Sequence, residues 1–438
     1  MQQVEANDNP PGVPRTLWEY LCSFGPGIVV VLTWLGAGDI VSSGIAGGNY
    51  GYSLMWVLVL SVMVRFVFVS LIAKYQLCNP RGESVLDGLA RLHPWYAPFL
   101  ALASVVMAHV YGAYMLVGCG ETWVKLTGIG TTWQWAMLWA IVALMLIFRP
   151  VYSRVELLFK IILAVLAASL LGTALWVGPN PIGIVRGAFT FSLPETVGPF
   201  GAMLVAVSMI GALGGSIMNL AYPYLLELKG WRGPAYRRVQ MYDLFLAVVV
   251  MIVLNLAVWT LGAELVHGSD KAVEGLDDLA TLLALVLGEP GRRLFFVGVF
   301  AAVFTSLVGI AMVLAFIASH GYLRWRAGGQ VVKQDYKSTS IYRGMVIWAL
   351  VSPLIWTLPG MPDFVTLTLV GNSIQVLLVP FLAGGLWWIT ASGQYIGPSY
   401  RNRWWENLVM LLAFVLAVVG SIGIVVEFSS LILSVPTR

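Results

Sequence analysis

The chain has 438 residues, 59% hydrophobic and only 11% charged, with a formal net charge of +4. A soluble domain carries about 25% charged residues, so this composition excludes a soluble fold and points to an integral membrane protein, and the small net charge gives no basis for a nucleic-acid partner. Cys22, Cys78 and Cys119 are odd in number and lack metal-site spacing, so they read as apolar packing residues.

Residues 1–20, MQQVEANDNPPGVPRTLWEY, are polar, with no basic run leading into a short apolar core. They read as a cytoplasmic tail rather than a cleaved signal. A spanning helix needs about 20 mostly apolar residues. Eleven stretches qualify, near 24–46, 53–75, 97–120, 131–148, 154–177, 198–226, 242–262, 294–318, 342–358, 364–391 and 406–432. The longest polar insertion, from Leu265 to Arg293, has room for a short helix. With the N-terminus inside, eighteen lysines and arginines fall on inner segments, six on outer ones, and Arg65 within a span. That bias sets the orientation, and an odd number of spans puts the C-terminus outside. The expected organisation is a tail over 1–20, spans one to five over 21–180, spans six to ten over 190–395, and the eleventh span with its tail over 400–438.

The first span contains TWLGAGDIVSSGIAGG, residues 33–48, which combines five glycines with Asp39. Glycine weakens a helix interior by about 0.5–1 kcal/mol relative to alanine. An aspartate at the bilayer centre costs roughly 2.5–3.5 kcal/mol on insertion scales. The sixth span echoes the first: GPGIVVVLTWLGAGD is matched by GPFGAMLVAVSMIGALGGS. The second lies five spans on from the first, with four between them, so they run in opposite directions. Paired, glycine-interrupted helices in inverted halves point to a secondary transporter's site, whereas close helix packing alone would also use such small residues.

A broken helix frees carbonyl oxygens, and backbone irregularity at membrane depth is tolerated only when buried or lining a wet cavity. Carbonyl oxygens, a carboxylate and room for water are what a divalent cation requires. Asp39 therefore reads as a cation ligand; capping of a half-helix or pairing with Arg65 is the alternative. Arg65, in SVMVRFVFVS, has Asp39 and Glu156 as candidate partners. Ser42, Ser43 and Asn49 either line a path or bond the preceding turn. Ser216 and Asn219 lie within or beyond the break of the sixth span. Asn372, Ser373 and Gln375 form a polar run in an apolar span and are expected to face the protein interior. His109 and Glu121 lie in the third span, as proton relay or as satisfied packing and interface residues.

These residues bring a family into view. FGPGIVVVLTWLGAGDIVSSGIAGGNYGYSLMW resembles the first helix of the Nramp (natural resistance-associated macrophage protein) divalent-metal transporters. YSRVELLFK is similar to the start of that family's fifth helix, YDLFLAVVVMIVLNLAVW to its seventh, and FFVGVFAAVFTSLVGIAMVLAFIASHGYLRW to its eighth. The resemblance implies a LeuT-type fold: all-α, two inverted five-helix repeats plus one extra helix, with 11 transmembrane helices. It also implies departures. Where the family has Asp-Pro-Gly-Asn, this chain has Gly36, Ala37, Gly38 and Asp39. The family's Met-Pro-His is absent from GALGGSIMNLAYPY. One registration places the methionine at Gly215 and the histidine at Ile217; another places them at Ser216 and Met218. The family's tenth-helix glutamine falls on Asn372, and its third-helix acids on Gly112 and Met115.

Loss of a soft thioether implies a roomier, all-oxygen site for a hard, partly hydrated cation, as in magnesium-transporting relatives of the family. Loss of the acids and histidine implies weak or absent proton coupling. The expected function is alternating-access transport of magnesium or manganese across a bacterial-type inner or plasma membrane. The divalent cation is then substrate, and no cofactor and no enzymatic role are expected. Asp39 supplies charge; Gly36, Ala212, Gly215, Ser216, Asn219 and Asn372 supply neutral donors or space. Two other readings stand: a LeuT-type symporter of a small organic solute, and a non-transporting sensor whose tight, dry centre has Asp39 neutralised by Arg65.

Overall fold

The computed structural model describes residues 12–14, 16, 19–20, 37–148, 152–214, 216–269, 271–330 and 336–434. The chain is all-helical there, with no strand ladder among the described residues beyond one bridge between Val197 and Phe200. The start of the first expected span, Cys22, Gly36 and Gly215 lie outside them.

In order, the helices are α1 Ala37–Tyr50, α2 Met55–Cys78, α3 Val85–Leu92, α4 Tyr96–Thr127, α5 Thr132–Phe148, α6 Tyr152–Val177, α7 Pro181–Thr190, α8 Ala202–Met209, α9 Tyr222–Leu228, α10 Arg237–Leu265, α11 Leu276–Arg326, α12 Ser340–Val351, α13 Phe364–Gln375, α14 Val379–Ala391, α15 Gly393–Ile396 and α16 Trp404–Ser434. Among the described residues, eight helical segments are long and apolar enough to cross a membrane. Each of the eleven expected spans has a helical counterpart, the shorter ones being α1, α5 and α12.

Local chemistry sets the ends. Ser84 caps α3, its hydroxyl accepting from Asp87 N at 3.1 Å. Asp363 caps α13 the same way, through Thr366 N at 3.1 Å. Gly128 closes α4 at φ 69°, a left-handed conformation that costs glycine little. The insertion between the seventh and eighth expected spans carries the helix it had room for, beginning at Leu276. That helix is the first part of α11, which reverses at Gly288 (φ 67°), two residues before Pro290.

The sixth span is broken. α8 ends at Met209, residues Ile210–Gly214 form a π-turn, Ser216 is extended (φ −141°, ψ 150°), and a 3₁₀ turn Ile217–Ala221 leads into α9. Glycines cluster here and in α1, and the two clusters do different work. In α1 they permit packing on α10: a β-carbon on Gly47 would collide with the Trp259 carbonyl, and one on Gly262 would lie 2.9 Å from the Gly44 carbonyl oxygen. Gly38 instead faces Asn372 of α13.

Charged latches hold one end of the bundle. Lys74 of α2 meets Glu406 of α16 at 2.8 Å and Asn402 at 2.9 Å. Asp87 of α3 receives Arg324 of α11, and His320 Nε2 lies 3.2 Å away. Cys78 and Cys119 are buried free thiols, as packing residues should be.

Candidate metal-binding cavity

At the centre α1, α2, α4, α11, α13 and the broken sixth span enclose a cavity of about 70 Å³. A water needs roughly 10–15 Å³ of such space, so several fit. The wall includes Gly38, Asp39, Arg65, Tyr111, Tyr114, Met115, Ala212, Ser216, Met218, Ser306, Asn372 and Gln375. Asp39 is 4% exposed, and its Oδ2 has no hydrogen-bond partner among the described residues. Carboxylate burial is costly unless a cation stands near, and Arg65, also 4% exposed, lines the same cavity. Arg65 Nη1 donates to the Ala212 carbonyl at 3.3 Å and touches Met251 Sδ at 3.3 Å.

The opposite wall is a neutral polar network. The Tyr111 hydroxyl donates to Gln375 Oε1, which leaves the Ser216 hydroxyl, 3.0 Å away, to donate to Tyr111. Ser216 Oγ also accepts from Met218 N at 3.2 Å and so fixes the chain as it leaves the break. Asn372 Oδ1 accepts a long 3.5 Å bond from Gln375, and its Nδ2 has no partner among the described residues. A β-carbon on Gly211 would run into the Asn372 carbonyl, so the broken span and α13 touch backbone to backbone.

Of the residues singled out from sequence, Asp39, Arg65, Ala212, Ser216, Asn372 and Gln375 converge on this cavity. Gly36 and Gly215 lie outside the described residues. Asn219 is buried beyond the break with Oδ1 lacking a partner among the described residues, and is not part of the wall. Ser42 bonds Ser208 at 3.1 Å and Ser43 bonds Asn255 at 2.7 Å, so both tie α1 to neighbours rather than to the preceding turn. Asn49 clamps Val273 through both amide groups, at 3.0 and 2.7 Å. Ser373 is buried and bonds its own helix at Leu369. His109 is held between Ser352 (3.0 Å) and the Trp356 indole N–H (2.9 Å), away from the cavity. Glu121 accepts from Phe364 N at 3.1 Å. It borders a separate cleft of about 710 Å³ that also holds Glu274, Asp277, Asp278, Asp363 and Lys125.

Tyr111, Tyr114 and Met115 were not expected as a wall. Their i, i+3, i+4 spacing on α4 is the signal that puts them on one face. Met218 lines the cavity while Ile217 does not. Met115 and Met218 line the cavity beside the oxygen-bearing residues. Among the described residues no group of three or more His, Cys, Asp or Glu could hold a metal. Any cation here would rely on one carboxylate plus carbonyl, amide and hydroxyl oxygens.

The sequence profile described as natural resistance-associated macrophage protein-like matches residues 27–427. The chain is 20% identical over 431 residues to "Metal transporter nramp1 homolog" of Dictyostelium discoideum, covering 95% of this chain and 76% of that protein. It is 23% identical over 417 residues to "Divalent metal cation transporter MntH" of Verminephrobacter eiseniae, covering 89% and 85%. Its fold matches the crystal structure of the Eremococcus coleocola manganese transporter bound to an aromatic bis-isothiourea compound. There the TM-score is 0.76 at 15% identity, over 100% of this chain and 93% of that one.

Proposed function

Since the chain belongs to the natural resistance-associated macrophage protein family, we propose that this integral membrane protein carries divalent metal cations, with the central cavity as the cargo site. The observation that carries the reading is Asp39 Oδ2, a buried carboxylate oxygen without a partner among the described residues, in a cavity with room for water at a helix break. Asp39 supplies charge. Ala212 offers a carbonyl, and Asn372, Gln375, Ser216 and Tyr111 offer neutral oxygens. Oxygen donors suit magnesium and manganese. Magnesium keeps several waters, and the cavity accommodates them. Manganese tolerates the same oxygens beside the thioethers of Met115 and Met218.

Alternating access follows from movement of α1 and the broken sixth span within two inverted repeats, residues 21–180 and 190–395, with the N-terminus cytoplasmic. The third-helix positions of the family's acids hold Gly112, packed on Pro353, and Met115. Neither titrates, which supports weak proton coupling.

A second reading has one observation in its favour. Arg65 puts a guanidinium in the same cavity as Asp39, and such a pair suits a small zwitterionic solute. The sensor reading fits less well, because a cavity of about 70 Å³ with polar walls is not a dry centre.

Flux into proteoliposomes tests the assignment. Manganese or magnesium entry is expected, falling by at least about tenfold, the effect of roughly 1.4 kcal/mol, in Asp39→Asn. Amino-acid flux without metal flux would replace the metal reading by the solute one.

A further inference from the structure

Arg65 lies near the middle of α2, a 24-residue spanning helix, and its head group reaches the cargo cavity. A buried guanidinium beside a proposed cation site is electrostatically perverse unless it has a task there. Three observations define that task. Its Nη1 donates to the carbonyl of Ala212, the backbone oxygen at the helix break that a cation would use. It lines the same cavity as Asp39, the only acidic side chain among the cavity's described wall residues. Its bond to Ala212, at 3.3 Å, is long for an N–H···O contact, and the flexible arginine stem can carry the head group elsewhere.

We propose that Arg65 is a tethered counter-cation of the cargo site: in the metal-free carrier it neutralises Asp39 and covers the Ala212 carbonyl, and an arriving divalent cation displaces it from both. This deepens the metal-transport reading and rests on it. An unpaired carboxylate at this depth would cost several kcal/mol, so a carrier lacking Arg65 would have to return across the membrane holding another cation. With Arg65 the metal-free cavity is electrically balanced and no second ion is needed. The same positive charge repels the bound metal, so it lowers affinity and eases release. Residues Tyr111 and Tyr114 of α4, Ser306 of α11, and Asn372 and Gln375 of α13 face the site from the packed elements. None of them is a carboxylate, lysine or arginine.

The test is equilibrium titration of Mn²⁺ onto the purified full chain in nanodiscs, with thermal melting as the fold control. Arg65→Gln is expected to bind Mn²⁺ at least about tenfold more tightly than wild type, and Arg65→Lys, which keeps the charge, within about threefold of wild type. Unchanged or weaker binding by a folded Arg65→Gln protein, while wild type binds, overturns this inference and leaves the transport assignment standing. Binding by Arg65→Gln but not by wild type supports it. If neither binds Mn²⁺ or Mg²⁺, the cargo assignment falls and this inference with it. Should Arg65→Gln not fold, Arg65→Met decides: absence of tightening in that folded variant overturns the proposal.

Discussion

Gly38 and Asn372 approach so closely that a β-carbon on the glycine would lie 2.8 Å from the asparagine Nδ2. The pair joins α1 to α13 across the wall of the central cavity, next to Asp39. A glycine here is a spacing requirement between two helices rather than a flexibility device. Gly38→Ala is expected to push the Asn372 amide away from the cavity, at about 1–3 kcal/mol for overpacking. Thermal melting measures the cost, and metal titration should show weaker binding.

Gly47 makes the complementary case. It packs against the Trp259 carbonyl, away from the cavity. Gly47→Ala is expected to destabilise the protein by a similar amount, about 1–3 kcal/mol, without changing the preference among metals. A melting curve together with competition between Mn²⁺ and Mg²⁺ separates the two outcomes.

Met218 brings a thioether to a wall otherwise rich in oxygen. Met218→Ser should lower the binding of soft cadmium relative to manganese by about tenfold. An unchanged ratio would mean that the sulfur stays outside the coordination sphere.

The acidic cleft beside Glu121 should act on approach rather than on binding. Asp277 pairs with Lys125, leaving Glu274, Asp278 and Asp363 to set the local potential. Asp278 holds Glu274 and Gly275 backbone N–H groups and Asp363 caps α13, so Glu274 is the residue to neutralise. Glu274→Gln is expected to raise KM for cations entering from that side by about twofold to threefold at low salt, with the maximum rate unchanged. The difference should vanish near 0.15 M salt, where the Debye length is about 8 Å.

Lys74 and Glu406 form a buried ion pair at 2.8 Å between α2 and α16. Removing one partner leaves the other charged and buried, so Glu406→Leu should cost about 3–5 kcal/mol. Lys74→Met combined with Glu406→Leu should recover most of that loss, and a double-mutant cycle by chemical denaturation reads it directly.

Much of this was legible in the residues. Runs of apolar side chains located the helices, because about 20 residues must cross the hydrocarbon whatever packs beside them. The break in the sixth span was visible in Gly211, Gly214 and Gly215. Convergence of Asp39, Ala212, Ser216, Asn372 and Gln375 followed from the cost of polar groups in lipid. What stayed hidden depended on pairing between distant elements. Nothing local in SVMVRFVFVS says that Arg65 meets Ala212 and Met251. Ser42 and Ser43 were expected to bond their own helix or line a path, and cross-helix partners decided otherwise. The glycines of α1 look alike in sequence, yet Gly38 shapes the cavity, Gly47 seats α10, Gly44 makes room for Leu279 of α11 and Gly48 for Val273. Met218 was one of two registrations, and only the 3₁₀ turn at Ile217–Ala221 turns it toward the cavity instead of Ile217.

The reversal at Gly288 has a consequence for how α11 sits in its surroundings. From Glu289 to Arg326 the rod runs roughly 57 Å at about 1.5 Å per residue, nearly twice a hydrocarbon thickness of about 30 Å. It therefore exceeds that thickness even when tilted, and its far end carries His320 and Arg324 to Asp87, all three buried in the protein. That buried clasp ties the far end of the long shaft to α3, so any rocking of the bundle must carry α3 with it or break an ion pair out of water.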